Sequence, residues 1–186
     1  GSDEGLKKLS RHAIDIAMMS RPLTPKEKRL YHYVTIGYDA LAIIVHKSNP
    51  ITSLSKQQLI DVYKGKITNW KQLGGANKTI IPISKKANRG TFHVFSSYIG
   101  LFHPSDITNT CPSKKISASA WDSGANNDAI IWTGGLFDAI SFISLGSAEV
   151  HLSYKMPIKI VALGGVYPTK IAKCPRRQEP HSFFRS

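Results

Sequence analysis

The chain of 186 residues can hold one large domain or two small lobes with real cores, and its 41% hydrophobic and 20% charged content is ordinary for a globular protein. No run approaches the roughly 20 continuous apolar residues of a membrane span, and the polar opening Gly1-Ser2-Asp3-Glu4 shows no secretory signal, so the chain is expected to be cytoplasmic or a mature form whose signal has been removed. With 25 Lys+Arg against 12 Asp+Glu the formal charge is +13, which points to anionic partners, while the scatter of the basic residues in short groups excludes a single basic tail.

In chain order, short elements alternate in type, the pattern of an α/β fold. Residues 5–12 read as a short helix, followed by a strand over 13–18. Thr24-Pro25-Lys26-Glu27 is a helix start: Thr24 caps free N–H groups, Pro25 suits the first helical position and Glu27 completes a capping box. Leu41-Ala42-Ile43-Ile44-Val45 is an apolar run of strand length, as in a strand buried on both faces. Ser55-Lys56-Gln57-Gln58 opens a second capped helix that stops at Gly65. A short strand follows over 80–83, a helix over 91–101 with apolar residues at Phe92, Phe95, Tyr98 and Ile99, and a polar loop over 108–115. A helix over 127–133 and strands over 139–145 and 158–163 complete the reading. From Lys170 onward the chain is basic, contains two prolines and shows no clear period.

Chemistry concentrates at Ser84-Lys85-Lys86-Ala87-Asn88-Arg89-Gly90-Thr91-Phe92, where a strand gives way to a basic, glycine-containing turn and a helix. Free N–H groups and the dipole at a helix start favour an anion. Gly90 lets the backbone approach it, Thr91 supplies a hydroxyl, and Arg89 offers a planar fork suited to phosphate oxygens. The plain alternative is a strand–turn–helix corner with exposed basic residues. Ser2, at the opening of the first helix, and Ser20-Arg21, just after the strand ending in Met18-Met19, are further candidates. The plain reading of Ser2 is a helix cap. None of the seven histidines has a partner at metal-ligand spacing, and no nucleophile elbow, phosphate loop or zinc-protease motif is present. Cys111 and Cys174 lack metal or redox spacing; a disulfide and two free thiols both stay open.

Several stretches, in order over residues 1–169, resemble the phosphate-binding proteins of bacterial ABC importers. They are Asp15 to Leu23, Asp39 to Val45 with Asn49-Pro50, Leu54 to Leu59 running into Tyr63 to Trp70, and Arg89-Gly90-Thr91 with Phe95, which resembles the family's (S/R)-G-T motif. Asp138 to Gly146 is similar to its G-A-I-G-Y strand, and Val166-Tyr167-Pro168-Thr169 to its late P-T turn. The resemblance implies a type 2 periplasmic-binding-protein fold, two α/β lobes joined by hinge strands with the ligand cleft between. Lobe one would comprise residues 1–46 and 155–186, and lobe two residues 47–154. Phosphate or a close oxyanion would lie between Ser2, Ser20 and Arg21 on one side and Arg89, Gly90 and Thr91 on the other. The implied role is solute capture by a monomer in the periplasm or cell envelope, with an ABC permease as partner and without cofactor, metal, nucleic acid or catalysis.

Three features depart from the family pattern. Its first strand and first ligand loop normally precede the Gly-Ser motif. Lys85-Lys86 stands where many relatives place a ligand-binding arginine, which keeps charge but loses the bidentate fork. The ending from Cys174 to Ser186 has no clear counterpart. The competing readings are a structural or signalling module of the same fold that has lost or altered its pocket, a charge-driven nucleic-acid or surface-adhesion protein, and an enzyme acting on phosphate esters.

Overall fold

A computed structural model describes residues 2–37, 39–106, 111 and 114–168. The strands β1 (Leu41–His46), β2 (Ser53–Leu54), β3 (Ile81–Lys85), β4 (Trp121–Ser123), β5 (Ala139–Ser144) and β6 (Ile158–Leu163) form one mixed sheet in the order β2-β6-β1-β5-β3-β4. β1 runs antiparallel to both neighbours, with Leu41 opposite Ser144 and Ile44 opposite Ile160, while β3 pairs in parallel with β4 and β5. Residues 46 and 155, where lobe boundaries are expected, thus fall beside strands that share this sheet.

The two-residue period of the strands divides their apolar side chains between two cores. Ile43, Val45, Ile140, Phe142 and Val161 face helices α3 (Lys56–Tyr63) and α4 (Gly90–Ile99). Ala42, Ile44, Ala139, Ile143 and Ile158 face helices α5 (Asn126–Gly135) and α6 (Leu145–Ser153). This sandwiching explains the unbroken apolar run of β1, since neither face meets water. In the first core Phe95 stacks on Phe142 at 3.7 Å between centroids, and Tyr63 meets Phe95 edge-on at 4.8 Å. The Tyr63 hydroxyl donates to the Ile83 carbonyl at 3.1 Å, so its one polar atom is satisfied in the core.

Local chemistry sets the helix ends. The helix α1 (Ser2–Ser10) starts three residues before its expected onset. Both parts of the capping box form at Thr24, with Pro25 opening α2 (Pro25–Leu30), and both form at Ser55 ahead of α3. Gly65 turns left-handed at φ 75° after α3, and Gly100 at φ 69° ends α4. Helix α6 lacks a sequence signal because the apolar run of β5 passes straight into it; Ser144 caps it by accepting a hydrogen bond from the Ser147 N–H.

One expected element is corrected. Residues 13–18 form no strand, and Ile16 and Met18 are 84% and 83% exposed. The same holds for the apolar alternation at Val34 and Ile36, 73% and 83% exposed. A strand exists only against another strand, and among the described residues none pairs with either segment. Most of the expected 108–115 loop, the chain from residue 169 and Cys174 lie outside the described residues.

The parallel strands β3, β4 and β5 lead, at their carboxyl ends, to the starts of α4, α5 and α6. Three helix starts therefore gather at one edge of the sheet, where open α/β folds place their ligand crevices.

Candidate functional site

Helix α4 begins without a side-chain cap. Its N-cap residue is Arg89, extended at φ −90° and ψ 132°, and among the described residues no side-chain cap hydrogen bond forms there. Against this bare end stand two hydroxyls. Ser20 N–H donates to Ser2 Oγ at 3.1 Å, and the two hydroxyl oxygens are 3.3 Å apart. A Cβ placed on Gly90 would overlap Ser20 Oγ and come within 2.6 Å of Ser2 Oγ, so only glycine lets the helix backbone reach these hydroxyls. Thr91 follows, half-buried in the first turn. Ser2, Ser20, Gly90 and Thr91, distant in sequence, thus meet around one helix start.

Arg89, the residue that opens α4, turns its guanidinium toward Gly124, just before α5. Its Nε is buried without a partner among the described residues, and its Nη2 lies 4.0 Å from where a Cβ on Gly124 would be. A buried guanidinium N–H lacking an acceptor is costly, and an oxyanion is its natural complement. Lys85, which the sequence placed in the basic turn but not among the anion-holding residues, is 1% exposed, with Nζ donating to the Ala125 carbonyl at 3.2 Å. Burial pushes its amine down to about 8; the nearby Arg89 charge adds to that, and Asp128 opposes it. Asp128 is itself held at the start of α5, where Oδ2 accepts the Ala125 N–H at 2.7 Å. The signal for Lys85 was its place at the end of a buried strand, next to the turn already singled out.

Arg21, expected beside Ser20 on one side of the ligand, turns its guanidinium to acceptors within the protein. Nε and Nη2 donate to Asp3 Oδ1 at 3.1 and 2.8 Å, Nη1 and Nη2 to the two Glu27 oxygens at 2.9 and 2.8 Å, and Nη1 also to the Pro22 carbonyl at 3.0 Å. All five of its N–H groups are engaged inside the protein. The hydrogen bonds from Arg21 bring the Glu27 carboxyl down to about 2. Burial pushes the Asp3 carboxyl up, but hydrogen bonds from Arg21 and His93 outweigh it and leave the group below its ordinary value. Asp3 Oδ2 lies 3.2 Å from His93 Nε2, which ties α1 to α4 one turn past Gly90. Neither acidic partner was marked as part of the site from sequence; the capping role of Glu27 hid its second use.

This arrangement can hold an oxyanion by hydroxyls, helix N–H groups and two cations, and it presents no nucleophile next to a base. A Ser–His–Asp arrangement does occur elsewhere. His103 Nδ1 is 2.7 Å from Ser105 Oγ, and His103 Nε2 is 2.9 Å from Asp122. The same two-residue His–Ser turn recurs at His46 and Ser48, also at 2.7 Å, with no acidic hydrogen-bond partner, which marks it as a turn device.

Comparisons with known proteins place the chain in a family. A family model described as a PBP superfamily domain matches residues 1–170. The phosphate-binding protein PstS of Borreliella burgdorferi is 28% identical over 171 residues, covering 91% of this chain and 59% of the relative. Among solved structures, a candidate phosphate ABC transporter substrate-binding protein of Clostridium perfringens with bound phosphate has a TM-score of 0.76 and 31% identity, covering 90% of this chain and 63% of that one. An ABC-type phosphate transport receptor of Vibrio cholerae has a TM-score of 0.68 and 33% identity, covering 91% and 64%. The chain therefore spans about three fifths of the length of these relatives.

Proposed function

The chain belongs to the PBP superfamily, and from that premise we propose that it captures inorganic phosphate, or a close oxyanion, as the solute-binding component of an ABC importer. The observation that carries this reading is the uncapped start of α4, where Gly90 meets the Ser2 and Ser20 hydroxyls beside the unpartnered Nε of Arg89. Ser2, Ser20, Arg89, Gly90 and Thr91 are the anion-holding residues. Arg21 acts as a strut that positions Ser20 and α1, because its donors already have acceptors.

The same proposal makes the protein a monomeric binder with no catalytic step, working in the periplasm or cell envelope with an ABC permease. No helix among the described residues is long and apolar enough to cross a membrane. It also makes the fold two-lobed, with sheet pairing favouring a division just before β1 and just after β6. By that division residues 2–40 belong to one lobe and residues 41–163 form the other, in place of boundaries at 46 and 155.

Calorimetric and thermal-shift titrations with phosphate, beside sulfate at matched ionic strength, test the reading. Saturable heat and a rise in melting temperature are expected with phosphate. Arg89→Ala and Thr91→Val should each weaken binding by about tenfold or more, the worth of one charged or well-buried hydrogen bond. No heat and no shift with either anion would favour a module that kept the fold and lost the pocket.

A further inference from the structure

We propose that Lys85 sets the charge of this anion site and makes capture pH-sensitive: its ammonium draws the anion beneath the starts of α4 and α5, and affinity falls once that ammonium loses its proton. The inference rests on the oxyanion reading given above. It adds a residue that reading does not use and a behaviour an arginine at the same position cannot have.

The geometry carries the case. Lys85 is the last residue of β3 and is 1% exposed, so its charge has no water to share. An ammonium has three N–H donors, and among the described residues a single acceptor, the Ala125 carbonyl, is within reach at 3.2 Å. From α4 the group faces Arg89, and from α5 it faces Asp128, whose Oδ2 already accepts the Ala125 N–H. From β5 it faces the Phe142 ring, with Nζ 5.8 Å from the centroid. Acidic groups on neighbouring elements are turned to other partners: Asp122 of β4 to His103, and Asp3 of α1 to Arg21 and His93.

The buried Lys85 ammonium and the half-buried Arg89 therefore face one carboxylate. Among the described residues the surplus positive charge has no further counterion, and an anion at the start of α4 would supply one. Without an anion, burial and the Arg89 charge weaken the hold of Lys85 on its proton, to a value of about 8. The free site thus loses charge just above neutrality. A bound anion favours the protonated form, and by linkage protonation favours the anion.

The test is the phosphate dissociation constant from about pH 6.5 to about pH 9.5 for the parent, Lys85→Arg and Lys85→Met, with circular dichroism at each pH to confirm the fold. Since a group with its midpoint near 8 is about one-tenth protonated at about pH 9, the parent should bind about tenfold more weakly there than at about pH 7. Lys85→Arg keeps its charge across that range, so its profile carries only the titration of phosphate itself, and the tenfold loss should show in the ratio of parent to Lys85→Arg. Lys85→Met, which removes the charge without the extra bulk of arginine, should bind weakly at every pH.

Equal slopes for the parent and Lys85→Arg would overturn the inference while leaving the oxyanion reading intact. So would Lys85→Met binding as tightly as the parent at about pH 7. If none of the three proteins binds phosphate at any pH, the oxyanion reading fails, and this inference fails with it.

Discussion

Residues 41–163 and residues 13–37 carry similar apolar patterns and meet different fates. In the first region Ala42, Ile44, Ile140 and Phe142 are all 0% exposed, because each strand has neighbours on the sheet and helices over both faces. In the second, Ile16, Met18, Val34 and Ile36 alternate with two-residue spacing yet remain in water without a ladder. The contrast shows that alternation specifies which face a strand would bury, and that only a pairing partner turns the segment into a strand. What anchors the second region is polar: the Arg21–Asp3–Glu27 cluster and the Ser2–Ser20 contact hold it against α4.

The sharpest way to break this comparison is in the core of the sheet. Phe142→Ala removes a ring stacked on Phe95 and should cost about 3–5 kcal/mol of unfolding free energy, read from urea denaturation. A loss below about 1 kcal/mol would mean that the sheet region is not the stable body described.

A smaller effect tests the polar anchor. With its carboxyl lowered from 4.5 to about 2, Glu27 contributes stability above the ordinary carboxylate value and loses it as pH falls toward about 2. Solvent near the pair screens this contribution to about 1 kcal/mol. Glu27→Gln should therefore lower amide hydrogen-exchange protection across residues 20–30 by about fivefold at neutral pH, and the difference from the parent should vanish in acid. An unchanged protection pattern would remove the cluster as an anchor.

The smallest change is expected where the apolar side chains are already in water. Ile16→Ser with Ile36→Ser should shift unfolding free energy by no more than about 0.5 kcal/mol. A cost above about 2 kcal/mol would show that these residues pack against something in the free protein.

Much of the fold was legible because it depends on local chemistry. Thr24 with Glu27, and Ser55 with Gln58, announce helix starts through side chains three residues apart. Gly65 announces a stop, and its left-handed φ bears that out, whereas Gly100 ends α4 one residue inside the helix expected over 91–101. The continuous apolar run of β1 announced burial on both faces. The strand over 13–18 was misread because its missing neighbour is not a local property.

At the site, the Arg89-Gly90-Thr91 turn was readable as a helix start, and α4 does begin there. The engagement of all five Arg21 donors was not, since Asp3 lies 18 residues away in sequence. Nor was the burial of Lys85, which depends on how α4 and α5 close over the end of β3.

The most direct test of the central claim is an amide chemical-shift map of the 15N-labelled protein titrated with phosphate. The account predicts saturable shifts that are largest at Gly90, Thr91, Ser2 and Ser20, with a change at the Arg89 side-chain Nε–H as it gains an acceptor. Shifts centred elsewhere, or a linear drift spread over the exposed lysines, would contradict an anion site at the start of α4.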